Sequence, residues 1–135
     1  MPSDIFERNF GFVVNDVARL MRTAFDERVK GLGLTRSQWW VLTCLIREDG
    51  VIQSDLADQL DLGKPSLGML LDKLEQRGWI RREVDGQDRR ARRVWTTAKA
   101  TSMLASLSAR GTDMNRAALE GLTSDERNQL LDTLL

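Results

Sequence analysis

Six arginines, Arg81, Arg82, Arg89, Arg90, Arg92 and Arg93, crowd around the turn signal Asp85-Gly86. A guanidinium is a planar, permanently charged fork of donors. It suits phosphate oxygens and the narrow, electronegative minor groove of a duplex. Asp88 stands directly before Arg89 and Arg90. A carboxylate there opposes a polyanion, unless it hydrogen-bonds one arginine and fixes its direction. Upstream, Lys64-Pro65-Ser66, Gly68, Met69 and Lys73 follow a glycine break. Ser66 can bond a base edge or a phosphate, Gly68 permits close backbone approach, and Met69 can touch a thymine methyl. Taken singly, each residue fits an ordinary helix surface better, and a basic run is usually a solvated face. The order of the elements that carry them raises the nucleic-acid reading.

That order begins at Gln53. Leu56, Ala57 and Leu60 recur at helical spacing, and Asp61-Leu62-Gly63 then interrupts the pattern. Gly63 serves as a helix N-cap, and Pro65 falls in the first helical turn, where its missing N–H costs nothing. Leu67, Leu70, Leu71 and Leu74 form a second apolar face that Gly78 ends. Trp79 to Val84 and Ala91 to Thr97 read as two strands around the Asp-Gly turn. Two short helices followed by a hairpin predict a winged helix-turn-helix, whose second helix reads the major groove with residues near its N-terminus.

Amphipathic helices flank this centre. Phe10, Val13, Val14, Val17, Leu20, Met21, Ala24 and Phe25 predict one long helix over Ile5 to Lys30, followed by the break Gly31-Leu32-Gly33-Leu34. Thr35 caps a further helix whose buried face is Trp39, Leu42, Leu45 and Ile46. Thr97 to Leu119 reads as mostly helical with a weak point at Gly111, and Thr123-Ser124-Asp125-Glu126 reads as a capping box. The last helix presents Leu130, Leu131, Leu134 and Leu135. The expected fold is mainly α with a small β-hairpin. Residues 1–33 and 101–135 are expected to be dimerisation helices around a DNA-binding domain over 34–100. The flanking helices carry more apolar surface than so small a winged domain can cover, and an isologous dimer buries it.

The 135 residues carry a formal net charge of zero. Residues 64–99 nonetheless hold ten basic and five acidic side chains, so a centre of +5 sits in a frame of −5. This is an electrostatic footprint for a polyanion. No apolar run has membrane-spanning length and no signal peptide is apparent, so the cytoplasm is the expected location. One cysteine allows no internal disulfide. With no histidine and one cysteine, neither zinc nor a nucleophilic catalytic centre has residues to carry it, and no cofactor is expected. Glu48-Asp49, before Gly50, reads as solvated surface.

Leu34-Thr35, Gln38-Trp39, Leu42, Leu56-Ala57 and Pro65-Ser66-Leu67 form a recognisable series. Leu74-Glu75, Gly78, Asp88-Arg89-Arg90-Ala91 and Thr97-Ala98-Lys99-Ala100 continue it. In these residues the chain resembles the MarR-type transcription regulators, most of all their SlyA-like branch, from Phe12 to the C-terminal helices. The resemblance implies a triangular homodimer straddling a pseudo-palindromic operator, with Arg89 and Arg90 in the minor groove. The chain departs from the pattern at Met69, where the branch commonly has an arginine. It also has Ile52 where Thr or Ser often opens the first short helix, and Thr96 where Leu is frequent.

The resemblance further implies release by a small aromatic carboxylate or phenolic effector between the dimer and winged domains. Trp39 and Trp40, with Arg19 and Arg22, are the residues suited to line such a site. The same tryptophans serve equally well as core or interface, and the arginines as solvated charges. Such an effector would favour a dimer whose recognition helices are wrongly spaced. Cys44 reads as a buried, inert thiol rather than an oxidation sensor. The competing class is a winged-helix module that binds another protein and not DNA.

Overall fold

The computed structural model describes residues 2–135, with side chains from Ile5 onward. In chain order the elements are α1 (Pro2–Glu7), α2 (Phe10–Arg28), α3 (Arg36–Arg47), β1 (Val51–Ile52), α4 (Gln53–Leu60), α5 (Lys64–Gln76), β2 (Ile80–Val84), β3 (Arg92–Thr96), a 3-10 turn (Ala98–Ala100), α6 (Thr101–Ala118) and α7 (Ser124–Leu134). They divide into two compact units, Val29–Ala109 and Met1–Arg28 with Arg110–Leu135.

The winged unit holds most of the core. Thr35 and Gln38 form a reciprocal capping box at the start of α3. Thr35 Oγ1 accepts from the Gln38 N–H at 3.2 Å, and Gln38 Oε1 accepts from the Thr35 N–H at 3.1 Å. Trp39, Leu42 and Leu45 are buried, as expected for this helix, and Val41 is buried beside them. Ile46 is not: it is 41% exposed, at the rim of the face that Val41, Leu42 and Leu45 centre. Leu56, Ala57 and Leu60 of α4 and Leu67, Leu71 and Leu74 of α5 close over the same core, with Leu70 half-buried at its edge. Each fully buried leucine contributes about 1.5–3 kcal/mol relative to exposure.

The strands form a three-stranded antiparallel sheet in the order β1-β3-β2, so a short third strand joins the expected hairpin. Val51 pairs with Val94, Ile80 with Thr96, and Val84 with Arg92. The hairpin strands are shorter than their sequence pattern. Trp79, Ala91 and Thr97 lie just outside them, though the Thr97 N–H still donates to the Trp79 carbonyl at 3.1 Å. Gly50 makes the third strand possible. Its φ is +80°, and a Cβ there would lie 2.4 Å from the Trp95 ring. Asp49 is exposed, yet it is a clamp rather than idle surface: its carboxylate accepts from the Thr96 N–H at 2.8 Å and the Thr96 hydroxyl at 3.0 Å.

The helical unit differs. The single helix expected over Ile5 to Lys30 is broken after Glu7. Asn9 starts α2 by accepting the Phe12 N–H on its side chain at 3.1 Å, and Phe6 packs edge-on against Phe12 with centroids 5.2 Å apart. Helix α6 runs through Gly111 without a break. Thr123 and Glu126 form the expected capping box of α7. Among the described residues of this unit only Phe25 is a buried hydrophobe. Phe10, Phe12, Val13, Val14, Val17 and Leu20 of α2, and Leu130, Leu131 and Leu134 of α7, are exposed. Among the described residues no helix is long and apolar enough to cross a membrane.

Candidate nucleic-acid interface

Helices α4 and α5 are joined by a turn of three residues. Asp61 adopts the left-handed conformation (φ 53°), and the Leu62 N–H returns to the Ala57 carbonyl at 3.0 Å. Gly63 is the N-cap of α5, with Pro65 in its first turn and no side-chain cap bond. The outer side of α5 presents Lys64, Pro65, Ser66, Met69, Asp72 and Lys73 to solvent, with Gly68 half-exposed among them. Met69 is 66% exposed. A Cβ placed on Gly68 would meet nothing within 4 Å, so this part of the helix is open to close approach. Ser66, Met69, Leu70 and Lys73 border a shallow hollow with Thr35, Ser37, Gln38 and Leu62.

The wing loop is built on Asp85. One carboxylate oxygen accepts from the Asp88 N–H at 3.0 Å and the Gln87 N–H at 3.3 Å, and the other from Arg93 Nε at 2.6 Å. The Arg93 guanidinium first, and the Asp88 N–H next, hold the Asp85 carboxyl below its ordinary range. Arg93 also donates to the Gly50 carbonyl at 2.8 Å, which ties the loop to the rest of the sheet. Asp88 does orient the tip, but not through a guanidinium. Its Oδ1 accepts the backbone N–H of Arg90 at 2.9 Å, a local Asx turn.

The six arginines therefore separate. Arg81 lies 2.6 Å from Glu83 and 5.5 Å from the centroid of the Trp95 ring. Arg82 donates through Nε to Glu75 at 2.9 Å, and through Nη2 to Glu75 at 2.6 Å and Asp72 at 2.5 Å. Its side chain is 13% exposed. Burial works against its charge, but these bonds outweigh it and hold the guanidinium above its ordinary pKa. Arg93 is taken by Asp85. Arg89, Arg90 and Arg92 are exposed, and among the described residues no acid pairs with their guanidinium groups. Lys64 from the start of α5 and Arg90 and Arg92 from the wing line one hollow of about 230 Å³, floored by Ile52, Leu67 and Ala91. The sequence pattern did not reveal the roles of Asp85 and Arg93; the Asp-Gly dipeptide was their only local signal.

The effector candidates are distributed over both units. Arg19 is exposed on α2 and lies 3.6 Å from Asp16, and Arg22 is half-buried on the same helix. Trp39 is buried and Trp40 half-buried on α3, with rings stacked at a centroid distance of 6.0 Å. Cys44 is half-buried; burial pushes its thiol pKa up and Arg47 offsets this only in part, which leaves little thiolate to react. Among the described residues no cluster of acids and thiols could hold a metal ion.

The sequence profile of the MarR family matches residues 32–91. The chain is similar to the transcriptional regulator PA3341, at 32% identity over 93% of each chain with a TM-score of 0.85. A MarR-family transcriptional regulator from Silicibacter pomeroyi is 26% identical, covering 98% of this chain and 90% of its own, also with a TM-score of 0.85. The transcriptional regulator SlyA is 26% identical over 90% of this chain and 85% of its own, with a TM-score of 0.75. Winged architecture, family profile and a relative of this identity along nearly the whole length agree: the chain belongs to the MarR family of transcriptional regulators.

Proposed function

We propose that this protein is a homodimeric, sequence-specific DNA-binding regulator of the SlyA-like kind. The observation that carries the reading is the convergence of Lys64 with the acid-free wing arginines Arg90 and Arg92 around one hollow. Helix α5 enters the major groove with Lys64, Pro65, Ser66, Gly68 and Met69, and Lys73 meets the backbone. Arg89 and Arg90 enter the flanking minor groove, while Arg92 and the Asp88-ordered loop support them. Residues 34–100 act as the DNA-binding domain.

Residues 1–33 and 101–135 act in dimerisation. The exposed apolar side chains of α2 and α7 support this, with Phe10 71% and Leu20 58% exposed. Surface of this kind marks an interface. A two-fold dimer places two α5 helices on half-sites about one helical turn apart, hence a pseudo-palindromic operator. A small aromatic carboxylate or phenol would release the DNA by changing that spacing.

The test is selection from random duplex DNA followed by sequencing. Enrichment of a two-fold symmetric site is the expected result. A protein that retains no duplex above background, with or without aromatic acids present, is not a DNA-binding regulator.

A further inference from the structure

Two acids stand where a DNA-reading helix least tolerates them. Asp72 lies one helical turn beyond Gly68 on the outer side of α5, and Glu75 follows three residues later. Asp72 is exposed and Glu75 half-exposed. Phosphates pass within a Debye length of this helix, about 8 Å at physiological ionic strength, so two bare carboxylates would repel them. Arg82, reaching from β2, bonds both. Its three short bonds and low exposure leave it no free reach towards a phosphate.

We propose that Arg82 is not a DNA contact but a positioning residue, which ties down Asp72 and Glu75, offsets one of their two negative charges and so lets α5 lie against the polyanion. The inference rests on the DNA-binding reading above. It assigns to Arg82 an effect on affinity that passes wholly through two carboxylates of its own chain. A direct phosphate contact would leave binding weak once the guanidinium is gone, even with both carboxylates removed.

The experiment measures binding of the full chain to its selected duplex across a salt series, for four proteins. These are wild type, Arg82→Met, Asp72→Asn/Glu75→Gln, and the triple variant combining all three. Thermal unfolding establishes that each is folded. Arg82→Met is expected to weaken binding about tenfold, from uncompensated charge beside the backbone. The triple variant, which has no guanidinium at this position, is expected to return to within about threefold of wild type with an unchanged salt slope. A triple variant that stays weak, with a slope lower by about one, would make Arg82 a phosphate contact and overturn the proposal. If Arg82→Met does not fold, the triple variant is compared with the Asp72→Asn/Glu75→Gln protein, from which it differs only at Arg82. Equal salt slopes and affinities within about threefold support the positioning role, and a tenfold loss with a slope lower by about one in the triple variant overturns it. Wild type that binds no duplex at all refutes the DNA-binding reading itself, an outcome distinct from failed rescue.

Discussion

At the root of the wing, Arg81, Arg82 and Arg93 each lie against an acid of the chain itself. Around its tip, Arg89, Arg90 and Arg92 face solvent without one. All six are the same residue type within one short stretch of sequence. Whether a guanidinium holds the fold or remains available to a partner is decided by what the fold sets opposite it. At the root, β2 packs against α5 and β3 pairs with β1, so acids from α5 and from the start of the loop come within bonding distance. At the tip, Asp88 is occupied with a backbone amide.

The largest effect is expected at the tip. Arg89→Ala/Arg90→Ala is expected to weaken binding to the selected duplex roughly 100-fold while leaving the thermal midpoint unchanged. A matching fall in thermal midpoint would show that the tip arginines hold the fold after all. At the root the effects should reverse. Gly50→Ala, forced against Trp95 at a left-handed backbone position, is expected to cost about 2 kcal/mol or more in chemical denaturation. Unchanged stability would mean that Trp95 moves aside freely.

Asp85→Asn removes the wing staple and is expected to lower the thermal midpoint by a few degrees. The pH dependence has a definite sign. The folded carboxyl is depressed, so its contribution is fully present above the unfolded value of about 3.9 and is lost as pH falls through the lower folded value. Asp85→Asn should therefore flatten the acid limb of wild-type stability, and parallel limbs would remove Asp85 from the account. The smallest effect concerns Met69. Replacing operator thymines by deoxyuridine, which lacks the methyl group, should weaken wild type about threefold and leave Met69→Ala unaffected. Equal losses in both proteins would place the methyl contact elsewhere.

The helices were legible in the sequence because their signals are local. Thr35, Gly63-Lys64-Pro65 and Thr123 mark starts within one turn, and the leucines of α4 and α5 repeat at the helical period. The break at Arg8-Asn9 was hidden because apolar residues continue at compatible spacing on both sides, and one asparagine side chain decides it. Strand β1 was hidden because two residues carry no alternation, and it exists only through its pairing with β3. The division of the arginines was illegible for the same reason. Arg82 finds Asp72 ten residues away and Arg93 finds the Gly50 carbonyl 43 residues away, and no local pattern reports either partner. The positions of the arginines could be read from sequence; their availability could not.

The bond from Arg93 to Gly50, with the clamp of Asp49 on Thr96, closes a loop of more than forty residues that contains α4, α5 and the wing. The entropy lost on closing a loop grows only as the logarithm of its length, so one short strand and two polar clasps are enough to hold so large a segment. Helix α5 and the wing lie within one closed ring, so the same clasps hold the elements proposed to read the major and the minor groove.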